Sequence, residues 1–202
     1  MSQTITVQIK ILPTKEQASI LERMSMTYIS TINTLVSEMV TERKVTKKSS
    51  KDVHAPLPSA VKNQAIRDAK SVFKKAKKSK YKHVPVLKRP VCIWNNQNYS
   101  LNDNHISMPI MANGKASKTP IRALVVDKGN RNLELLKHKL GVLRITKKAN
   151  KWIAQISVSI PTIQGNGTKV MAVDLGLKVP AVAVTDDGKV RFFGNGRKNK
   201  YM

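Results

Sequence analysis

From Thr4 to Leu12 the chain alternates: Ile5, Val7, Ile9 and Ile11 share one parity, and Thr6, Gln8 and Lys10 the other. That pattern predicts a β-strand with one buried face. Pro13 blocks its continuation, and Thr14-Lys15-Glu16-Gln17 has the form of a capping box, in which a hydroxyl and an amide satisfy the free N–H groups of a helix start. Leu21, Met24, Tyr28, Ile32, Leu35 and Met39 then recur at helical spacing, predicting a long amphipathic helix to about Glu42 whose Met residues are core. Arg43 to His54 is polar and basic and reads as a loop, ended by Pro56 and Pro58. Ser59 is placed to cap a second helix, with an apolar stripe of Val61, Ala65, Ala69, Val72, Phe73 and Ala76. Small residues dominate that stripe, so the second helix can approach the first closely.

After Pro85 and Pro90 the period changes from helical to alternating. Val91–Trp94, Tyr99–Leu101, His105–Ile110, Ile121–Val126, Gly141–Thr146 and Trp152–Ile160 are short strand patterns. They are separated by turn signals at Asn102-Asp103-Asn104, Asn113-Gly114, Lys128-Gly129-Asn130 and Lys148-Ala149-Asn150. Gly141–Thr146 and Trp152–Ile160 make the clearest hairpin, and Leu133–Leu140 reads as a short helix. Such a series predicts an antiparallel sheet or small barrel, completed by the first strand with the two helices inserted. Pro161 to Thr168 reads as a linker. The fold class is therefore α+β: an antiparallel barrel with an inserted basic helical hairpin, and a further strand region after the linker.

Charge adds a partner to this scheme. Lys and Arg number 37 against 12 Asp and Glu among 202 residues, a formal net charge of +25. Between Arg43 and Arg89 the only acids are Asp52 and Asp68, while the second helix carries Lys62, Arg67, Lys70, Lys74, Lys75, Lys77 and Lys78. One lysine on such a face is as well explained by solvation, but this density of like charge repels itself unless an anion lies across it. Nucleic acid is the partner that uses many cations; a membrane surface or ribosomal RNA are the plainer alternatives. No apolar stretch approaches the roughly 20 residues of a membrane-spanning helix, and the N-terminus has no signal-peptide core. Cys92 is the single cysteine, so the chain has no intrachain disulfide and no cysteine-based zinc site, and a cytoplasmic setting is expected. Trp94, Tyr99 and Trp152 could stack on bases, although a place in the sheet core is the better default.

The last strand region is the one with candidate chemistry. Val170 to Val173 is apolar without alternation, as for a central strand covered on both faces, and it ends at Asp174 with Gly176 close behind. Ala181–Val184 would return antiparallel, and Asp186-Asp187-Gly188 would turn the chain to Val190–Phe193. A strand with an acid at its end and a three-strand meander is how the ribonuclease-H-like fold begins. Its carboxylates hold two divalent ions that activate water and stabilise the leaving oxygen of a phosphodiester. Two other readings stand beside this: Asp174 caps a turn, or the segment opens an actin-like fold that binds ATP. The long basic region argues against the last.

Several of these features occur together, in order, in one family. They are Leu12-Pro13-Thr14-Lys15-Glu16-Gln17 after the first strand, Leu57-Pro58-Ser59-Ala60-Val61 heading the basic helix, and Lys139–Ile145 with the Lys151-Trp152 hairpin. Ala172-Val173-Asp174-Leu175-Gly176-Leu177 and Phe193-Gly194-Asn195-Gly196 close the series. On them the chain resembles the N-terminal half of TnpB (OrfB), the RNA-guided nucleases of bacterial insertion sequences, similar to the type V CRISPR effectors.

The resemblance implies a wedge-like barrel from residues 1–13 and 83–163, a helical recognition domain from 14–82, and part of a RuvC-type nuclease domain from 169–202. It further implies a guide RNA and target DNA as partners, held mainly through their backbones while base pairing supplies sequence. Asp174 matches the family's first catalytic and Mg²⁺-binding acid. The family's later Glu and Asp and its zinc-binding cysteines would lie beyond Met202, and Asp186 and Asp187 read as turn residues. The expectation is that this polypeptide grips nucleic acid without cutting it. The alternative is a binding module from a decayed or repurposed copy.

Overall fold

A computed structural model of the chain describes residues 2–102, 104–112, 115–117, 119–127, 129, 131–162, 169–176 and 179–194. Asp103, the Asn113-Gly114 turn, Lys128, Asn130, residues 163–168 of the expected linker, Leu177 and Asn195-Gly196 lie outside the described residues. The chain forms two compact units, Met1–Pro161 and Thr162–Met202.

The first unit opens with β1 (Ser2–Leu12), whose Val7, Ile9 and Ile11 are buried as the alternation requires. Helix α1 (Lys15–Thr41) starts on the expected capping box: the Gln17 N–H donates to Thr14 Oγ1 at 3.2 Å, and the Thr14 N–H to Gln17 Oε1 at 3.0 Å. The Gln17 amide also donates to the Arg122 carbonyl, tying this helix end to a distant strand. Helix α2 (Ser59–Lys78) packs on α1 through Val61, Ala65, Ile66, Ala69, Phe73 and Ala76. The expected cap is corrected here. Pro58 holds the cap position, Ser59 is the first helical residue, and no side chain caps the helix. A proline side chain has no acceptor to offer, so the first-turn N–H groups of α2 receive no side-chain cap.

The sheet is a curled half-barrel of seven strands, all paired antiparallel, in the order β2-β8-β9-β1-β7-β4-β3. Its strands are β1, β2 (Val91–Trp94), β3 (Ser100–Asn102), β4 (His105–Met108), β7 (Ile121–Val126), β8 (Lys139–Lys148) and β9 (Lys151–Pro161). Between β4 and β7 lies a separate small ribbon of β5 (Met111–Ala112) and β6 (Lys115–Ala116). Thus β1 sits between β9 and β7, and the helices are inserted between the first two strands in sequence. The expected helix at Leu133–Leu140 is corrected to a five-residue α3 (Arg131–Leu135), because Lys139 and Leu140 are already in β8.

Strand registry sorts the two faces of the sheet. Cys92, Ile145, Ala154 and Ile9 stand opposite one another in successive strands and are all buried. The neighbouring row is Ile93, Arg144, Gln155 and Gln8, which puts polar groups on the other face. Trp94 is fully buried and Trp152 nearly so, with Trp94 Nε1 donating to the Pro109 carbonyl. Both belong to the core, and neither offers a face for base stacking. Tyr99 is half-buried, its hydroxyl donating to the Gly141 carbonyl at 2.8 Å. Gly141 lies in a bulge of β8, where the Val142 N–H donates to Ser157 Oγ at 2.7 Å. A Cβ at Gly141 would overlap that oxygen, so a side chain there would displace the Ser157 hydroxyl from its bond to Val142.

The second unit is a three-stranded antiparallel meander: β10 (Met171–Asp174), β11 (Ala181–Thr185) and β12 (Val190–Phe193), with β11 central. The reading of Val170–Val173 as a strand covered on both faces is corrected. β10 is an edge strand, its four residues are exposed, and Val170 precedes it. Its composition records two apolar faces, and no other described element of this unit covers them.

Candidate nucleic-acid interface

The first unit holds an open cleft of about 890 Å³ where α2, the 79–90 connection and the polar sheet face converge. Its apolar floor comprises Ile32, Val72, Leu87, Val91 and Ile93. Around this floor stand Lys75 from α2, Arg89 from the connection, and Arg144, Lys147 and Lys148 from β8: five cations against the single carboxylate of Asp68. Among the described residues Lys75, Arg89, Arg144 and Lys148 have no ion pair. Lys147 is held 3.3 Å from both Glu22 oxygens and lies over the Trp152 ring at 5.8 Å. A second cleft, about 600 Å³ between α1 and the 46–56 loop, has Glu38 and Asp52 against Lys48 and His54, with Glu38 and Lys48 paired at 2.6 Å. That balance gives it no excess of cations with which to hold a polyanion.

Two fixed contacts shape the cationic cleft. The buried Tyr28 hydroxyl of α1 donates to Asp68 Oδ2 of α2 at 2.7 Å, and the Gln64 amide donates to Asp68 Oδ1 at 3.0 Å. Burial first, and then the Asp68 carboxylate, push the Tyr28 phenol well above its ordinary value, so it remains a proton donor. The carboxylate is thereby oriented. On the other wall, the Asn33 side chain donates to the Leu87 carbonyl and accepts from the Leu87 N–H, both at 2.9 Å. This pair of bonds fixes the connection two residues before Arg89.

The seven basic residues expected on α2 separate into groups. Arg67, Lys70, Lys74 and Lys78 recur at three- and four-residue spacing and form one ridge, with Lys70 half-buried and the others exposed. Lys75 alone lines the cleft. Lys77 is exposed, and Lys62 is half-buried near the helix start. Sequence reading missed Arg89, Arg144, Lys147, Lys148, Asp68 and Gln155 as site residues. The polar parity of β8 was the available signal for Arg144, but its meeting with Lys75 depends on tertiary packing.

Asp174 ends β10 opposite Val182, exposed, and its carboxylate has no hydrogen bond or ion pair among the described residues. Asp186 and Asp187 sit at the other end of the strand, roughly 13 Å away at 3.3 Å per residue, since Met171 pairs with Thr185. Asp186 accepts from the Val170 N–H at 3.0 Å. Asp187 accepts from the Thr185 hydroxyl and pairs with Lys169 at 3.4 Å and Lys189 at 3.2 Å. The Thr185 hydroxyl first, then the lysines, hold the Asp187 carboxyl below the usual carboxylate range. Among the described residues no three His, Cys, Asp or Glu side chains gather as metal ligands. Magnesium takes an octahedral set of oxygens, and the described residues do not by themselves supply a site for it. Cys92 is buried and free, and burial raises its thiol well above the ordinary value. No described helix is long and apolar enough to cross a membrane.

No family model and no curated protein matches the chain in sequence. Its fold is found in solved structures. A chain of a CRISPR-Cas12f ternary complex, determined by cryo-EM, matches with a TM-score of 0.58 and 11% identity, over 93% of this chain and 50% of that one. A chain of a Cas12f1-sgRNA-target DNA complex matches with a TM-score of 0.55 and 9% identity, over 96% of this chain and 66% of that one. The present chain thus spans half the length of the first, and at these identities the likeness is one of fold.

Proposed function

We propose that this chain is a TnpB-like, RNA-guided DNA-binding protein of transposon origin, acting in the cytoplasm. The observation that carries the reading is the cationic cleft, flanked by the Arg67–Lys78 ridge, within a fold shared with Cas12f proteins in complexes such as one with sgRNA and target DNA. In this reading residues 1–13 and 83–163 are the wedge and 14–82 the recognition domain. Together they hold the guide RNA and its heteroduplex through phosphates, and base pairing reads the target. Residues 169–202 belong to a RuvC-type domain, with Asp174 as one of its magnesium-binding acids. A two-metal clamp needs several carboxylates, so residues 1–202 alone grip nucleic acid without cutting it.

The test is RNA binding by the purified protein across a salt series. Affinity falls steeply with salt, and replacing Lys74, Lys75, Lys77 and Lys78 by Ala weakens binding equally across RNA sequences. Every phosphate interaction that the substitutions remove should lower the slope by about 0.7 for a single strand. Salt-independent binding, or an unchanged slope in the variant, would overturn the reading. Magnesium-dependent, Asp174-dependent cleavage by the 202-residue polypeptide would overturn the claim that it does not cut.

A further inference from the structure

A surface that held nucleic acid only by its phosphates would need cations and little else. The cleft has more than that. Its volume, about 890 Å³, is within the range of roughly 300–1,000 Å³ typical of pockets that enclose small molecules. Of its apolar lining, Ile32 and Ile93 are buried beneath the surface, while the half-buried Val72, Leu87 and Val91 offer apolar surface that suits the face of a base and does nothing for a phosphate. Asp68 would repel a phosphate, yet its carboxylate is held in place by Tyr28 and Gln64 and retains lone pairs for a further donor. Arg144 and Gln155 stand opposite each other in adjacent strands and both line the cleft. They supply a planar guanidinium that can stack on a base and an amide that can pair with its edge. On the same wall the buried Thr146 hydroxyl has no hydrogen-bond partner among the described residues.

Resting on the reading of the first unit as an RNA grip, we propose that this cleft is a base pocket. It takes an unstacked, amino-bearing base from a single-stranded stretch of the RNA. The base lies on the apolar floor beside Arg144, and its exocyclic amino group donates to Asp68. The adjoining phosphates meet Lys75, Arg89 and Lys148. A base still paired in a duplex cannot present its Watson–Crick edge in this way, so the pocket selects unpaired RNA. Uridine has a carbonyl where cytidine has an amino group, and the Asp68 carboxylate therefore favours cytidine.

Fluorescence anisotropy with the full 202-residue protein tests this with three probes at one salt concentration: oligocytidylate, oligouridylate, and a blunt duplex RNA of the same length. Oligocytidylate should bind at least about fivefold more tightly than oligouridylate, the lower end of what one well-placed base contact supplies, and more tightly than the duplex. Asp68→Asn, which keeps an oxygen for Tyr28, should abolish the cytidine preference, read as the ratio of oligocytidylate to oligouridylate affinity in that one variant. Tyr28→Phe, which frees the carboxylate without changing the packing shape, should reduce that preference. Lys74→Ala on the outer ridge should weaken all three probes alike, as phosphate contacts do. Equal binding of the three probes by the wild-type protein would overturn the pocket while leaving the RNA grip standing, as would a cytidine preference unchanged in Asp68→Asn. Failure to bind any of them would overturn both.

Discussion

Asp127 shows how one carboxylate organises a short element. Its oxygens accept from the Asn132 N–H at 2.7 Å, the Asn132 amide at 2.8 Å and the Leu133 N–H at 3.2 Å, at the start of α3. Five residues are too few for a helix to hold itself, so the carboxylate supplies what propensity cannot. The Asn132 amide first, and then the two backbone N–H groups, hold the Asp127 carboxyl below the usual carboxylate range. A folded-state value depressed in this way gives stability that is complete above the unfolded value of about 3.9 and is lost as pH falls through the folded value. The difference in urea midpoint between the wild type and Asp127→Ala should therefore be full at about pH 6 and shrink below about 3.9. A difference that does not change with pH would show that Asp127 acts only by packing. The carboxylate was not legible in the sequence, because its partners become neighbours only when the chain bends around it. The Thr14–Gln17 box was legible, because its partners lie three residues apart.

The connection between α2 and β2 has no regular structure, yet it delivers Arg89 to the cleft. Asn33 of α1 makes this possible by satisfying both backbone groups of Leu87 as a strand neighbour would. Asn33→Ala leaves a half-buried N–H and C=O without partners, at a cost of about 1–2 kcal/mol. It should also weaken RNA binding by releasing Arg89 from its position, with Asn33 itself outside the cleft lining. Denaturant melts and anisotropy on the same preparation check this. Reduced stability with unchanged affinity would separate Leu87 anchoring from Arg89 function. Among the elements, β1, α1 and the β8–β9 hairpin were readable because one buried face imprints its period on the sequence. The cleft was not readable, because Lys75, Arg89 and Arg144 come from three elements and no local period relates them. The α2 lysines were readable as charge, but the sequence pattern did not separate the ridge from Lys75 in the cleft.

Across the whole molecule, the two units differ in how completely they are packed. Every buried hydrophobic side chain among the described residues belongs to Met1–Pro161 except Ala183. In the meander, Val170, Val184, Val190 and Phe192 are exposed, and Ala172, Asp174 and Val182 share their face by registry. The other face exposes Met171, Val173 and Phe193, with Thr185 and Arg191 as its polar members. Two apolar faces and a bare edge strand at β10 are what association between chains requires. Three strands without a covering layer bury too little to hold themselves firmly. The core of the first unit, by contrast, includes helices, sheet and cleft floor together. A polypeptide of residues 1–161 should therefore unfold cooperatively and keep the RNA affinity, salt slope and cytidine preference of the whole chain. It should also self-associate less, because the exposed Val170 and Phe192, 68% and 66% accessible, are gone. Sedimentation velocity and anisotropy on the two proteins in parallel decide the matter. If residues 1–161 fail to fold, or bind RNA with a markedly smaller salt slope, the grip does not reside in the first unit and the division of roles proposed for the chain fails with it.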